Sequence, residues 1–348
     1  MRFYNKSHAF YCGIDLHARW MYICVIDQAG EITYHRNHKT RPEHLLDALA
    51  PYRNDVVVAV ECMFSWYWVA DLCEEVGLPF VLGHALYMKA IHGGKAKNDR
   101  IDSHKIAALL RGGTFPLAYV YPRSMCSARD LLRRRLRLVR LRAEMSVHVQ
   151  NTRAQHNLPA TGTRLRYAGN RVGVADDFED LSARKNVELD LALMGAYDEH
   201  IRDVEKHLLE AASEHDGKAL ALLRTVPGIG KVLGLIILYE VGDIRRFPSV
   251  QNFVSYSRLV KPSKESNGKK QFAKSGAKIG NAYLRWAFAE AVTLMIANSA
   301  GGKQVYERLK RKHPPGKAMT ILAHKIGRAV YFMLRRQTAF DMARFVGS

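Results

Sequence analysis

AFYCGIDLH, residues 9–17, is a short apolar run that ends in an acid. A run of this length bounded by polar residues reads as a strand. WMYICVIDQAG (Trp20–Gly30) follows after a tight connection and closes on a glycine turn. EITYHRNHK (Glu31–Lys39) alternates more weakly and reads as a third, edge strand. RPEHLLDALAPY then has helical spacing, and DVVVAVECM (Asp55–Met63) is a β-branched run typical of a strand buried on both faces. SWYWVADLCEEVG is helical and ends at Gly77, LPFVLGHA is another strand, and DRIDSHKIAALLRGG (Asp99–Gly113) is a helix closed by a glycine pair. The order is three strands, helix, strand, helix, strand, helix.

A hairpin meander followed by crossover helices is the plan of a ribonuclease H-like α/β fold, here expected over residues 1–125. In that plan the first strand is central and the fourth lies beside it. Asp15 ends the first strand, Glu61 ends the fourth, and Asp99 and Asp102 begin the last helix. The i, i+3 spacing of the last two puts both on one helix face. Four carboxylates from distant sequence are therefore expected to converge on one spot. Oxygen-only ligands favour Mg²⁺ or Mn²⁺. Two such ions roughly 3.5–4 Å apart activate a nucleophile and stabilise the leaving oxygen in phosphodiester chemistry. The lysines and arginines of KNDRIDSHK would then hold substrate phosphates. Taken singly, each acid also reads as a turn, cap or surface ion-pair residue, Asp99 by favouring the helix N-terminus. His17 and His104 lie nearby and read as supporting or solvated residues.

Composition agrees with a polyanionic partner. Lys and Arg number 53 against 33 acids in 348 residues, a net charge of +20 that would repel itself unless nucleic acid screened it. The 48% hydrophobic share suits a globular protein of two or three domains. Five scattered cysteines without a CxxC pair argue for reduced cytoplasmic thiols and against a zinc site. The N-terminus has no apolar signal core, and the apolar run VLGLIILY from Val232 is too short to span a bilayer. The expected setting is cytoplasmic and nucleoid-associated, with no membrane.

Residues 126–215 read as long helices. The stretch from Ser127 carries Leu131, Leu138 and Met145 every seven residues with arginines between them. Arg133, Arg134 and Arg137 are candidates for nucleic-acid backbone contact, against the alternative of a solvated face. Residues 159–182 read as a connector. Val187, Met194, Ile201 and Leu208 then recur by sevens, with Tyr197, Val204 and Ala211 three residues after the last three. That is a coiled-coil seam, packing within the chain or between subunits.

Residues 216–348 read as mainly α. Pro227-Gly228-Ile229-Gly230 is the hairpin of a helix-hairpin-helix, in which Gly228 and Gly230 let backbone amides approach a phosphate and Lys231 adds charge. A plain helix-helix turn is the competing reading. Ser266 lies in KESNGKK, where Lys264, Lys269 and Lys270 would stabilise a phosphate; Ser263 and Ser275 compete with it. A helix starts near Gly280-Asn281.

YCGIDLH, VAVECM, KNDRIDSHKIA, TVPGIGKV, FVSYSRLV, SNGKK and KIGNAYLRWAF together, in this order, resemble the DEDD-type insertion-sequence transposases, which include the Piv-like DNA invertases. The resemblance implies a RuvC-like N-terminal domain, a coiled-coil insertion and a C-terminal transposase domain. It implies that Asp15, Glu61, Asp99 and Asp102 are the acidic, metal-holding tetrad and that Ser266 is the nucleophile forming a transient phosphoserine link. It further implies guidance by a structured RNA from the element, pairing with donor and target DNA, and dimers assembling into tetramers. The rival readings are a metal-dependent junction-resolving nuclease that uses water, and a non-catalytic binder of structured RNA.

Overall fold

The computed structural model describes residues 2–91, 98–261, 264–266, 269–271 and 279–347. The chain divides into two compact units, Met1–Cys126 and Ser127–Ser348.

The first unit runs β1 (Phe3–Tyr4), β2 (Phe10–Leu16), β3 (Trp20–Asp27), β4 (Ile32–Lys39), α1 (Pro42–Leu49), β5 (Val56–Glu61), α2 (Tyr67–Glu75), β6 (Phe80–Gly83), α3 (Ala85–Ile91), α4 (Asp99–Arg111) and β7 (Phe115–Pro116). Five strands form one mixed sheet in the order β4-β3-β2-β5-β6. β2 pairs antiparallel with β3 and parallel with β5, the arrangement expected of a ribonuclease H-like fold. Val56 to Val60 are all buried, because β5 is covered on both faces.

The two cores on either side of the sheet follow the period of two. Cys12, Ile14, Val58 and Val60 pack with Leu45 and Leu49 of α1 and Val69 and Cys73 of α2. Tyr11, Val57 and Ala59 pack with Ile106, Ala107 and Leu110 of α4. The alternation therefore directs Asp15 and Glu61 to the α4 side. The β1–β7 pair and α3 were not anticipated, since two-residue strands carry no periodicity to read.

The second unit takes in most of α5 (Arg123–Gln155), then α6 (Leu181–Arg224), α7 (Lys231–Val241), α8 (Val250–Tyr256), the hairpin β8 (Lys264–Ser266) and β9 (Lys269–Gln271), α9 (Ala282–Asn298), α10 (Ala300–Lys310), α11 (Pro315–Arg336) and α12 (Met342–Gly347). Arg135 pairs with Glu205, Arg142 with Asp198, and His148 with Asp190, so α5 and α6 lie antiparallel. Val187, Met194, Ile201 and Leu208 are buried along α6. On α5 Leu132, Leu136 and Val149 are among the buried residues, whereas Leu131, Leu138 and Met145 are half-buried. The Leu131–Leu138–Met145 stripe therefore borders the buried side of α5 and does not form its centre.

The stretch read as a connector also contributes to packing. Its Leu165, Val174 and Phe178 join Val149, Val187 and Met194 in one core. Asp216 breaks α6 with φ −159° and ψ 66°, and its side chain accepts from the Ala219 N–H at 2.9 Å, restarting the helix. α7 is buried from Leu233 to Val241, which accounts for the apolar run beginning at Val232. Among the described residues no helix is long and apolar enough to cross a membrane.

Candidate metal centre and nucleic-acid interface

Asp15 stands near the C-terminal end of β2. The parallel register aligns Ile14 with Val60, so Glu61 occupies the corresponding end of β5. α4 crosses β2 at Gly13, and its first turn carries Asp99 and Asp102. Asn98 starts that turn by accepting the Ile101 N–H at 2.8 Å.

His17 enters this group directly. Its Nε2 lies 3.4 Å from an Asp15 oxygen and 3.8 Å from an Asp99 oxygen. The donor atoms of Asp15, His17 and Asp99 all lie within 4.8 Å of one another. The His17 backbone is anchored by its N–H to the Trp20 carbonyl and by Thr40, whose hydroxyl donates to the His17 carbonyl at 2.8 Å. The sequence signal was present, two residues after Asp15, but spacing alone did not say which way the ring would point.

Burial pushes the Asp15 carboxyl above its usual range; His17 pulls it down, while Asp99 and Asp102 push it further up. Crowded carboxylates of this kind are what a bound cation relieves, so the donor set fits a divalent metal. Lys105 meanwhile donates to Asp102 at 3.2 Å.

The basic helix divides into two sets of residues. Arg133 donates to both oxygens of Glu240, at 2.7 and 3.0 Å. Arg129 reaches the same carboxylate at 3.0 Å, and the Asn281 side-chain amide donates to it at 2.7 Å. Glu240 is 1% exposed, and the Arg133 guanidinium lies over the Tyr283 ring. Burial alone would raise the Glu240 pKa, but Arg133, Arg129 and Asn281 hold it below the usual value. Arg133 therefore ties helices together, whereas Arg134 and Arg137 are exposed. Glu240 escaped the sequence reading, although a lone acid inside the apolar run of α7 implied a cationic partner.

At the Pro227–Gly230 turn, Gly228 has φ +93°, and a Cβ there would stand 2.4 Å from the Ala291 carbonyl of α9. That glycine is required by packing, as in a plain helix-helix turn. Gly230 precedes α7 and Lys231 is exposed at its start. Ser266 lies in β8 opposite Lys269, and Lys264 lies opposite Gln271. The side chains of Ser266, Lys264, Lys269 and Lys270, and all of Ser263 and Ser275, fall outside the described residues. Asn281 caps α9 by accepting the Tyr283 and Leu284 N–H groups, which places that helix start as expected.

Two transposase family models match the chain. The DEDD transposase model covers residues 12–155, and the model described as "Transposase IS116/IS110/IS902 family" covers residues 220–307. The transposase for insertion sequence element IS1111A of Coxiella burnetii (strain RSA 493 / Nine Mile phase I) is 23% identical over 335 residues, which is 94% of this chain and 90% of that protein.

Proposed function

The chain is a homologue of the IS110-family transposases and an enzyme, a DNA transposase, and from that premise we propose that it cuts and rejoins DNA with Ser266 as nucleophile. The divalent metal site is made by Asp15, Glu61, Asp99 and Asp102, with Mg²⁺ or Mn²⁺ as the ion. A structured RNA encoded by the element selects donor and target DNA, and the working form is a dimer that assembles to a tetramer.

The observation that carries this reading is the convergence of Asp15 and Asp99 around His17. The metal supplies charge neutralisation at the attacked phosphate. The acids hold it, and Lys264, Lys269 and Lys270 contribute positive charge in the Ser266 loop. Ser266 Oγ forms a bond to phosphorus as the bond from phosphorus to a deoxyribose oxygen breaks, and the serine proton ends on that departing oxygen as a free hydroxyl. The phosphodiester energy is kept in the serine ester, so rejoining needs no ATP. Gly228, Gly230 and Lys231 offer a further backbone contact at the start of α7.

The test is denaturing electrophoresis of protein trapped on a nicked DNA substrate, followed by peptide mapping. Ser266→Ala should bind DNA and form no adduct, while Ser263→Ala and Ser275→Ala should still form one. Cleavage by Ser266→Ala with no adduct in any variant would assign the chain to water-using nucleases. Sequencing the RNA that copurifies with the protein tests the guide.

A further inference from the structure

Outside the acidic centre, the far end of α11 borders a cavity of about 500 Å³. Its walls include Phe332, Phe340 and Phe345, and its cations are Lys325, Arg328, Arg336 and Arg344, against the single acid Asp341. That volume lies within the range of small-ligand sites and suits one nucleotide. The excess of positive charge calls for an anion.

The cavity is formed by a defined turn of the chain. Gln337 ends α11 in the left-handed region, φ +56°, and the chain folds back. The Phe340 N–H donates to the Thr225 hydroxyl at 2.9 Å, fixing the returning segment against the end of α6. Phe340 then packs on Phe345, with ring centroids 5.1 Å apart. Phe345 is buried, while Phe332 and Phe340 remain half-buried, so the latter two keep surface available to a ligand. The Arg336 guanidinium lies 4.9 Å over the Phe332 ring, and the Lys325 ammonium 4.9 Å over that of Phe345. Among the described residues none of Arg328, Arg336 and Arg344 forms an ion pair within the chain, in contrast to Arg129, Arg133, Arg135 and Arg142.

Aromatic walls and unpaired guanidinium groups have one common ligand chemistry. A base stacks on an aromatic face whatever its identity, and arginine holds the phosphate beside it. Phenylalanine has no hydrogen-bonding group, so such a pocket takes any base. A paired base cannot enter, because its faces are already stacked in the duplex. The geometry points to a binding site for one unpaired nucleotide of a nucleic-acid strand, its base against Phe332 and Phe340 and its phosphate on Arg328, Arg336 and Arg344. The inference rests on the chain being a nucleic-acid enzyme, and is independent of the serine nucleophile and of the guide. The strand is either RNA or DNA, since both present the same base and phosphate.

The full-length protein is titrated with three fluorescein-labelled probes of one mixed sequence: single-stranded DNA, single-stranded RNA and the DNA duplex. Phe340→Leu keeps the apolar volume and removes the ring; Phe340→Tyr restores the ring and controls for folding. Phe340→Leu should weaken binding of at least one single strand about tenfold and leave the duplex unchanged, with Phe340→Tyr near wild type. The strand that loses affinity identifies the natural source. Ultraviolet crosslinking of an iodouridine-substituted single strand should map to Phe332 or Phe340. Equal losses for single strand and duplex, or no loss for any probe, would overturn the pocket. Wild-type protein that bound none of the three probes would remove the nucleic-acid reading as well.

Discussion

A Cβ on Gly13 would stand 2.3 Å from the carbonyl oxygen of Ser103 and 2.4 Å from the Ala107 nitrogen. The central strand and α4 therefore meet backbone to backbone. That approach brings the first turn of α4, with Asp99 and Asp102, beside Asp15. Gly13→Ala must push the helix away. Overpacking of this kind costs about 1–3 kcal/mol. The variant should unfold at lower temperature, and Mg²⁺ titration followed by thermal unfolding should show weaker stabilisation by the ion. Unchanged stabilisation by Mg²⁺ would mean that the acids tolerate displacement of α4.

Removing the charge of one acid should separate stability from activity. The Asp15 carboxyl is raised above its usual range, so its charged form is disfavoured in the folded state at neutral pH. Stability falls as pH rises through the window between the unfolded and the raised folded value. Asp15→Asn removes that cost. In chelator, the variant should melt above wild type at neutral pH, and in Mg²⁺ it should gain little. Transposition in cells should be abolished in this variant, as in Glu61→Gln, Asp99→Asn and Asp102→Asn. Normal transposition by Asp99→Asn or Asp102→Asn at limiting Mg²⁺ would refute the tetrad.

The arginines of α5 should fall into two classes. Arg134→Ala with Arg137→Ala should weaken DNA binding across sequences and flatten its salt dependence, because phosphate contacts release counterions. Arg133→Ala should instead lower stability through the loss of its bonds to Glu240. Binding isotherms over a salt series, paired with melting curves, distinguish the two. An unchanged salt slope in the double variant would make that face merely solvated.

Glu240 should confer acid sensitivity on the second unit. Its folded pKa lies below the usual 4.5. The stabilisation is therefore fully present above the unfolded value and is lost as pH falls through the depressed folded one. Glu240→Gln removes the carboxylate charge that Arg129 and Arg133 share and should cost about 3–5 kcal/mol at neutral pH. The gap in denaturant stability between wild type and variant should close on acidification below the usual glutamate range. A constant gap across that range would show that the carboxylate charge contributes nothing.

The positions of the acids were legible because they depend on local patterns. Alternation in YCGIDLH and VVVAVE sets which face Asp15 and Glu61 occupy, and the i, i+3 step sets Asp99 beside Asp102. The α6 seam and the Gly228 turn were legible for the same reason. His17 was visible, but its orientation depends on Trp20 and Thr40, which hold the loop from outside the strand.

What the sequence by itself determined is the order of elements, their buried faces and the acids that share a sheet edge, since hydrophobic periodicity is a property of neighbouring residues. What only the tertiary structure decided is which charges are already satisfied. Arg133 and Glu240 lie 107 residues apart and meet because α5 and α7 pack together. Arg134, adjacent in sequence, remains exposed. The cavity beside Phe332 likewise needs the chain to turn back at Gln337 and dock on Thr225. Charge pairing is set by distances between remote elements, and no local pattern encodes those distances.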